Sequence, residues 1–435
     1  MNLSGYLHPM KKSLVYIVSV GLVYLAMIVV MDTFPRSAYS ELEQRELATF
    51  PEFSIETLFS GKFTETVSSW FSDTEPFRDR FMKVSMDVKA ARRMSFNKEQ
   101  IVFHAPEADI EEEISNEDTS YVNENAKLAH AGIIISGKGE RTRALMAFAG
   151  YHCKGKYAEA VNAYANEFAS DSVQVYCMPI PSAACFYTPD YARNWTKPQQ
   201  PAIDSLNSRL DVRVKRVPLI DALRRHTAEQ IYLRTDHHWA PLGAFYAARE
   251  FAKAAGLPFA GIEAYDKRIV RSYVGSMYGY SKDVSVKNAP EDFIFYVPKD
   301  SSYRTEYTRY KLNSDYKIEG VYPTVEGKLI HYFPDGSSSA YCTYLGSDGR
   351  ITKITTNVGN GRRLLILKDS FGNPLSAFLL ASFEHIYVVD CRYFDKSMKK
   401  MVRDNKVTDI LFANALSKVT TTDQTGRAYL KMLSK

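Results

Sequence analysis

The chain has 435 residues, of which 45% are hydrophobic and 24% are charged, enough apolar sequence for one large domain or two ordinary ones. Its formal net charge is only +5, and its lysines and arginines are scattered without a dense basic stripe. This charge pattern argues against a nucleic-acid partner. Five widely spaced cysteines with no Cys-x-x-Cys pair argue against a zinc site built on thiolates.

The first predicted element is a transmembrane anchor at residues 14–31. This run carries no charge, and as a helix it would rise about 27 Å, close to the thickness of a bilayer core. Two lysines precede it and acidic residues follow, so the positive-inside rule keeps residues 1–13 in the cytoplasm and the rest outside. A cleaved signal peptide is the alternative, but Arg36 disrupts the small-x-small site that it needs. We expect a single-pass protein of the cell membrane with an extracytoplasmic C-terminal domain.

Residues 32–125 are predicted to form a juxtamembrane helical region followed by an acidic loop. Phe63, Val67 and Trp70 recur at spacings of four and three, which is typical of an amphipathic helix. The stretch Glu107–Asn125 is rich in carboxylates, but they lack the ordered spacing of a calcium loop. We therefore expect a solvated loop there and no cation site.

From residue 126 to residue 435 the pattern alternates between helix and strand. The stretch Arg141–Ala169 has a helical period, and Ser172–Ile180 is typical of a buried strand. A further helix is predicted over Pro241–Ala255, because proline is a common first helical residue and Gly256 is a typical stop signal.

Residues 257–362 depart from the alternation of helix and strand. They are predicted to form a β-rich insertion, which would make one wall of a cleft. This segment holds 13 of the chain's 29 tyrosines and turn signals such as PDGSSS. Tyrosine stacks on sugar rings, but it also packs well at half-buried positions. The sequence leaves both interpretations open.

After the insertion, three apolar strands (RLLILK, HIYVVD and TDILFAN) alternate with short helices. This order predicts a parallel sheet covered on both faces, whose functional groups collect at the carboxyl ends of the strands. The side chains at those ends are Asp369, Ser370, Asp390, Arg392 and Asn414.

Ser370 lies between a predicted strand and a helix expected to start near Pro374. Such a turn exposes the hydroxyl and directs the N–H groups of a helix N-terminus toward a developing oxyanion. The alternative is that Ser370 or Asn373 only caps that helix.

The stretch TDHHWAPLGAF places Asp236, His237, His238 and Trp239 side by side. In an extended turn Asp236 and His238 point to one side, which would make His238 a general base oriented by Asp236, with His237 pointing away. A metal site would use all three side chains, although adjacent histidines of a strand face opposite ways. The third hypothesis is that Asp236 caps the helix starting at Pro241. Spacing alone leaves the three open.

TDHHWAPLGAFYAAREF resembles the signature of the DHHW family, which is similar to the SGNH-hydrolase-like proteins that O-acetylate exported polysaccharides such as alginate. VYCMPIPS and LLILKDSFGNPLSAFL also resemble family blocks, in the expected order. The resemblance runs from residue 41 to about residue 414, and the β-rich insertion matches least clearly. Lys368 departs from the pattern, because a glycine commonly precedes the Asp-Ser pair.

The resemblance implies a Ser-His-Asp acyl-enzyme mechanism with Ser370 as nucleophile, His238 as base and Asp236 as its orienting acid. His237 and Trp239 would support these residues, and neither a metal nor a cofactor is expected. Four further residues are expected to hold the oxyanion or the substrate: Gly372, Asn373, Arg392 and Asn414.

The expected fold is α/β: an SGNH-hydrolase-like, mostly parallel sheet flanked by helices, with a β-rich insertion and an N-terminal transmembrane helix. The expected activity is extracytoplasmic O-acetylation of a polysaccharide. Relatives imply a multi-spanning membrane acyltransferase as the acetyl supplier, because acetyl-CoA stays in the cytoplasm. A carbohydrate acetyl esterase using the same residues and a non-catalytic glycan-binding or assembly protein are the alternatives.

Overall fold

The computed structural model describes residues 18–26, 29, 33–34, 36–40, 45–82, 84–85, 102–104, 132–312, 318–346, 350–394 and 396–435. The chain forms two compact units, residues 1–94 and residues 95–435. The sequence places a boundary near residue 125. Because residues 105–131, which include the whole predicted acidic loop, lie outside the described part, that boundary and the loop stay predictions.

The first unit contains two very short strands, β1 (Tyr39–Ser40) and β2 (Arg45–Glu46), paired antiparallel. Two helices follow, Ile55–Phe59 and Lys62–Asp73. The second of these confirms the predicted amphipathic helix. Its Trp70 ring meets the Phe50 ring edge-to-face at 4.8 Å, and the Arg36 guanidinium lies 4.2 Å from the centre of the same indole.

Only part of the predicted membrane anchor is described. Residues 18–26 and 29 are helical, and the remainder of the run 14–31 lies outside the described residues. Within the described part of the chain, no helix is both long enough and apolar enough to cross a bilayer.

The second unit carries the remaining strands. In chain order they are β3 (Val102–His104), β4 (Ile133–Ser136), β5 (Arg143–Met146), β6 (Gln174–Ile180), β7 (Val214–Arg216), β8 (Tyr265–Tyr273), β9 (Glu291–Pro298), β10 (Arg304–Leu312), β11 (Ile318–Val321), β12 (Val325–Gly327), β13 (Arg350–Thr355), β14 (Arg363–Lys368), β15 (His385–Asp390) and β16 (Asp409–Ala415). The helices are Lys156–Phe168, Ala184–Tyr187, Gln200–Ser208, Ile220–Arg224, Pro241–Ala255, Ser276–Ser281, Val284–Lys287, Leu375–Phe378, Met398–Asp404, Leu416–Thr421 and Gln424–Ser434.

A nine-stranded sheet organises this unit, in the order β11-β10-β13-β15-β14-β16-β6-β7, with β12 paired to β10. Strands β15, β14, β16, β6 and β7 are parallel, as the alternation of strands and helices predicts. The other four strands are antiparallel additions, joined through the pairing of β13 with β15. These four come from the β-rich segment. The segment therefore extends the main sheet as well as forming the separate β8–β9 hairpin.

The parallel strands are buried on both faces, because successive side chains point to opposite sides. Ile366 of β14 packs in one core with the helix Pro241–Ala255. Leu367, the next residue, packs in the other core with the helices Lys156–Phe168 and Gln424–Ser434. The sheet is thus the middle layer of an α/β unit.

Two predicted helices differ in the structure. The helix expected over Arg141–Ala169 begins only at Lys156, and Arg143–Met146 is strand β5. Antiparallel pairing with β4 overrides the local helical period there. The helix expected after Ser370 is only Leu375–Phe378, so it offers little of the N-terminal dipole inferred for it.

Candidate active site

The Asp-His-His-Trp stretch lies in a tight turn. Tyr232 and Trp239 form an isolated antiparallel β-bridge, and the Leu233 N–H donates to the His238 carbonyl at 3.4 Å. The Trp239 indole is fully buried and donates to the Phe371 carbonyl at 2.9 Å. This hydrogen bond joins the turn to the segment after β14, and the supporting role of Trp239 stays a prediction.

Three buried side chains form a continuous hydrogen-bonded series across the two segments. The Ser370 Oγ lies 2.7 Å from His238 Nε2, and His238 Nδ1 lies 2.6 Å from Asp236 Oδ1. Ser370 and His238 are 132 residues apart in sequence. Both distances are within the reach that a general base needs.

Asp236 is anchored by further donors. Its Oδ1 accepts the His238 N–H at 2.9 Å, and its Oδ2 accepts the Tyr273 hydroxyl at 2.7 Å and the Ser276 N–H at 2.9 Å. The following helix has Ala240 as its N-cap and no side-chain cap. The structure therefore excludes the hypothesis that Asp236 caps this helix.

These contacts keep Asp236 ionised. Burial by itself raises the pKa of a carboxyl group, but the neighbouring His238 and His237 and the Ser276 N–H hold the pKa of Asp236 well below its usual range. Burial, reinforced by the Asp236 charge, raises the pKa of Tyr273 well above its ordinary value. Tyr273 therefore stays a neutral phenol that donates to the carboxylate.

Ser370 does not cap the turn in which it lies; Asp369 does. One Asp369 oxygen accepts the Phe371 N–H at 3.0 Å, and the other accepts the Ala415 N–H at 2.7 Å. Asp369 thereby ties the turn after β14 to the end of β16. The Ser370 hydroxyl is directed toward His238 instead.

His237 does not point away from the site, and the prediction that it would is wrong. Its ring centre lies 3.7 Å from that of His238, and its Nδ1 lies 2.6 Å from Ser276 Oγ. The reason is the bent backbone of residues 235–238, to which the alternation of an extended strand does not apply.

Asp236, His237 and His238 also lie close enough to hold a metal ion, with ligand atoms within 4.8 Å of one another. Nδ1 of His237 is hydrogen-bonded to Ser276, and both ring nitrogens of His238 are hydrogen-bonded within the series. A metal would have to displace at least some of these bonds.

The predicted oxyanion donors adjoin Ser370. The Gly372 N–H donates to the Asp369 carbonyl at 2.9 Å, and the Asn373 N–H donates to the Ser370 carbonyl at 3.3 Å. A Cβ at position 372 would collide with the Lys368 side chain, so this sequence requires glycine there. The oxyanion roles of Gly372 and Asn373 stay predictions.

Arg392 and Asn414 have other hydrogen-bond partners. The Arg392 guanidinium binds Asp390 at 2.9 and 2.6 Å, and Lys368 binds the same carboxylate at 3.1 Å. The Asn414 amide is buried and bonded to the hydroxyls of Tyr157 and Tyr429. A buried amide with both polar atoms engaged is poorly placed for the predicted substrate contact.

Several residues at the site were not predicted from the sequence. Tyr273 and Ser276 hold Asp236, and Tyr341 stacks on the His238 ring. Glu291 accepts the N–H groups of Arg234 and Thr235, which lead into the turn. The abundance of tyrosine in the β-rich segment was a sequence signal for the two tyrosines, and Ser276 and Glu291 stand in no pattern that the sequence analysis singled out.

The chain is therefore an α/β protein in which a serine after a parallel strand is hydrogen-bonded to an Asp-x-His pair. The family model described as DHHW protein matches residues 43–125 and 93–389, well over half of the sequence. The chain belongs to the DHHW family. No curated protein matches it.

One solved structure agrees with this assignment. A DHHW family protein from Eubacterium siraeum is 32% identical, covers 70% of this chain and 96% of its own, and superposes with a TM-score of 0.61. Bacillus cereus PatB1 is 19% identical, covers 66% of this chain and 97% of its own, and has a TM-score of 0.50, which shows a shared fold. The O-acetyltransferase domain of Pseudomonas putida AlgJ is 13% identical over 64% of this chain and 88% of its own, at a TM-score of 0.35. Likeness at that level leaves function open.

Proposed function

We propose that this DHHW protein transfers acetyl groups to hydroxyls of an exported or cell-surface polysaccharide. The observation that carries the proposal is the Ser370–His238–Asp236 series, with contacts of 2.7 and 2.6 Å between buried groups. A serine, a base in hydrogen-bond reach and an acid that orients the base are the parts that covalent acyl transfer needs. The resemblance to polysaccharide O-acetyltransferases indicates the acyl group and the acceptor.

In the first half-reaction the Ser370 Oγ attacks the acetyl carbonyl of the donor. His238 Nε2 takes the hydroxyl proton, and Asp236 accepts the Nδ1–H and stabilises the imidazolium that forms. The bond from the acetyl carbon to the donor then breaks, and the donor leaves with the proton from His238. The product is an acetyl-Ser370 ester.

In the second half-reaction a sugar hydroxyl replaces the donor. Its proton passes to His238 Nε2 as its oxygen attacks the ester carbonyl, and Ser370 leaves as an alcohol by taking that proton back. The acetyl group ends on the glycan, and the enzyme returns to its starting state. The backbone N–H groups near Ser370 and Gly372 are our candidates for holding the oxyanion in both steps, and the Gly372 N–H would first have to give up its bond to the Asp369 carbonyl.

Water acting in place of the sugar hydroxyl would make the protein an acetyl esterase with the same residues. Analysis of products with and without a glycan acceptor separates the two activities. A glycan-binding or assembly protein without catalysis needs no serine within reach of a base, so the 2.7 Å contact between Ser370 and His238 argues against that alternative.

We further propose that the second unit works outside the cytoplasm, tethered by the anchor at residues 14–31. The acetyl group would then have to cross the membrane, because acetyl-CoA is cytoplasmic. The resemblance implies a multi-spanning membrane acyltransferase as the partner that hands the acetyl group across.

The direct test is Ser370→Ala in the full-length protein, with turnover of an acetyl ester and transfer to glycan as readouts. We expect both activities to fall by about 10³-fold or more, because the substitution removes the nucleophile. Ser376→Ala is the matched control: Ser376 is buried nearby and donates only to the Asn373 carbonyl, at 3.3 Å. Unchanged activity in Ser370→Ala would refute the acyl-enzyme mechanism.

A further inference from the structure

Tyr341 contacts two of the three residues in the series. Its ring stacks on the His238 imidazole with centres 3.8 Å apart and planes 11° from parallel. Its hydroxyl donates to the Ser370 carbonyl at 3.2 Å. One side chain of the β-rich segment therefore touches both the base and the backbone of the nucleophile.

The hydrogen bonds of His238 require a fixed ring plane. Nδ1 and Nε2 flank Cε1 of the imidazole and point in different directions, and they bond to Asp236 and Ser370 at the same time. Rotation of the ring about its bond to Cβ would weaken both bonds, because each depends on the direction of its nitrogen. The nearly parallel Tyr341 ring opposes that rotation from one face, and the His237 ring, with its centre 3.7 Å away, adds a second contact.

The segment that carries Tyr341 is held independently of His238. The neighbouring Tyr344 is fully buried, and its hydroxyl bonds to the N–H and the carbonyl of Tyr296 at 2.9 and 3.1 Å. The Leu345 N–H donates to the Leu329 carbonyl at 2.9 Å. Tyr341 therefore projects from a fixed platform and can impose an orientation on the imidazole.

We propose that Tyr341 is a positioning residue for the acyl transfer: its ring sets the plane of the His238 imidazole, and its hydroxyl fixes the peptide of Ser370. The ring face also stabilises the imidazolium that forms during each half-reaction, since aromatic faces attract cations. The catalytic part of this inference rests on the proposed function. The structural part, control of the His238–Asp236 hydrogen bond, does not.

The test uses the full-length protein with Tyr341→Leu, Tyr341→Phe and Tyr341→Trp. The first readout is the low-field proton resonance of His238 Nδ1–H in its short bond to Asp236, identified by its absence in His238→Gln. We expect Tyr341→Leu to broaden or lose this resonance and the two aromatic variants to retain it. Tyr322→Leu is the control, because it makes the same change at an exposed tyrosine of the same β-rich segment.

The second readout is the division between kcat and KM. We expect Tyr341→Leu to lower kcat about 100-fold with KM little changed, as a loss of alignment does. Tyr341→Phe should lower kcat about two- to tenfold, because it removes only one hydrogen bond. Tyr341→Trp should recover most of the activity that Tyr341→Leu loses.

A Tyr341→Leu protein with the resonance and kcat of the wild type overturns the proposal, and so does a variant in which only KM rises. If Tyr341→Leu does not fold, Tyr341→Phe decides the question, because it keeps the aromatic ring. Loss of the His238 Nδ1–H resonance in Tyr341→Phe would overturn the proposal. A retained resonance together with the small fall in kcat would support it. If the wild type transfers no acetyl group, the proposed function fails, while the resonance still decides whether Tyr341 orients His238.

Discussion

Asp236 is a buried carboxylate whose two oxygens together accept four hydrogen bonds. Two come from the backbone N–H and the ring of His238, one from the Tyr273 hydroxyl and one from the Ser276 N–H. Such a set of donors compensates for the loss of water around the charge, and it leaves His238 one tautomer, with the proton on Nδ1. The Nε2 lone pair is then directed at Ser370.

We predict that Asp236→Asn lowers kcat by about 10⁴-fold, because an amide in this position permits the wrong tautomer of His238. The substrate should bind nearly as before, since Asp236 lies behind the imidazole and away from the reacting serine. Steady-state kinetics on an acetyl ester measure the effect. A loss confined to KM would contradict the orienting role.

The same substitution should change stability in a pH-dependent way. The folded-state pKa of Asp236 is depressed below its unfolded value of about 3.9, so the ionised carboxylate stabilises the fold above that pH, and its contribution fades as the pH falls further. Urea unfolding should show Asp236→Asn less stable than the wild type at pH 7, with a smaller difference at pH 3. A difference that stays constant with pH would argue against this linkage.

At the scale of elements, the site depends on close approach between the Asp-His-His-Trp turn and the segment that joins β8 to the helix Ser276–Ser281. The Met277 N–H donates to the Thr235 carbonyl at 3.0 Å, and the Gly275 N–H donates to the Thr235 hydroxyl at 3.1 Å. A Cβ at position 275 would collide with the Asp236 side chain. Glycine is therefore needed at 275 for the two elements to meet.

We predict that Gly275→Ala destabilises the protein by about 1–3 kcal/mol, as overpacking of a well-packed core does. It should also reduce kcat, because the collision involves the group that orients His238. Gly279→Ala is the matched control: Gly279 lies in the adjoining helix with nothing within 4 Å of a Cβ. Chemical unfolding and kinetics of the two variants test the prediction, and equal behaviour would contradict it.

At the scale of the whole molecule, local sequence signals predicted individual helices and strands, and long-range strand pairing decided the structure where those signals failed. The helix Pro241–Ala255 has the bounds that its proline and the following glycine indicate. Strand β5 was missed because only its pairing with β4, through residues such as Ile134 and Leu145, makes it a strand. Its own sequence has a helical period.

The same distinction between local sequence signals and long-range contacts applies to the residues of the candidate site. Asp236 and His238 were candidates from their spacing and Ser370 from its place after a predicted strand, and the resemblance to the DHHW family selected the three residues that the structure brings into contact. Tyr341 and Tyr273 were missed, because no local pattern distinguishes one tyrosine of the insertion from another. Only the folding of the β-rich segment over the turn selects them.

The membrane anchor is the remaining whole-molecule prediction, and the full-length chain can test it. We expect the protein to stay with membranes after alkaline carbonate washing, because the apolar run at residues 14–31 is long enough to span a bilayer. Val23→Lys with Leu25→Lys should move it to the soluble fraction, since each lysine at the centre of a span costs about 2.5–3.5 kcal/mol. Val212→Lys with Val321→Lys, at exposed positions of the second unit, is the control. A wild-type chain released by carbonate would refute the anchor and leave the proposed chemistry to be tested separately through Ser370.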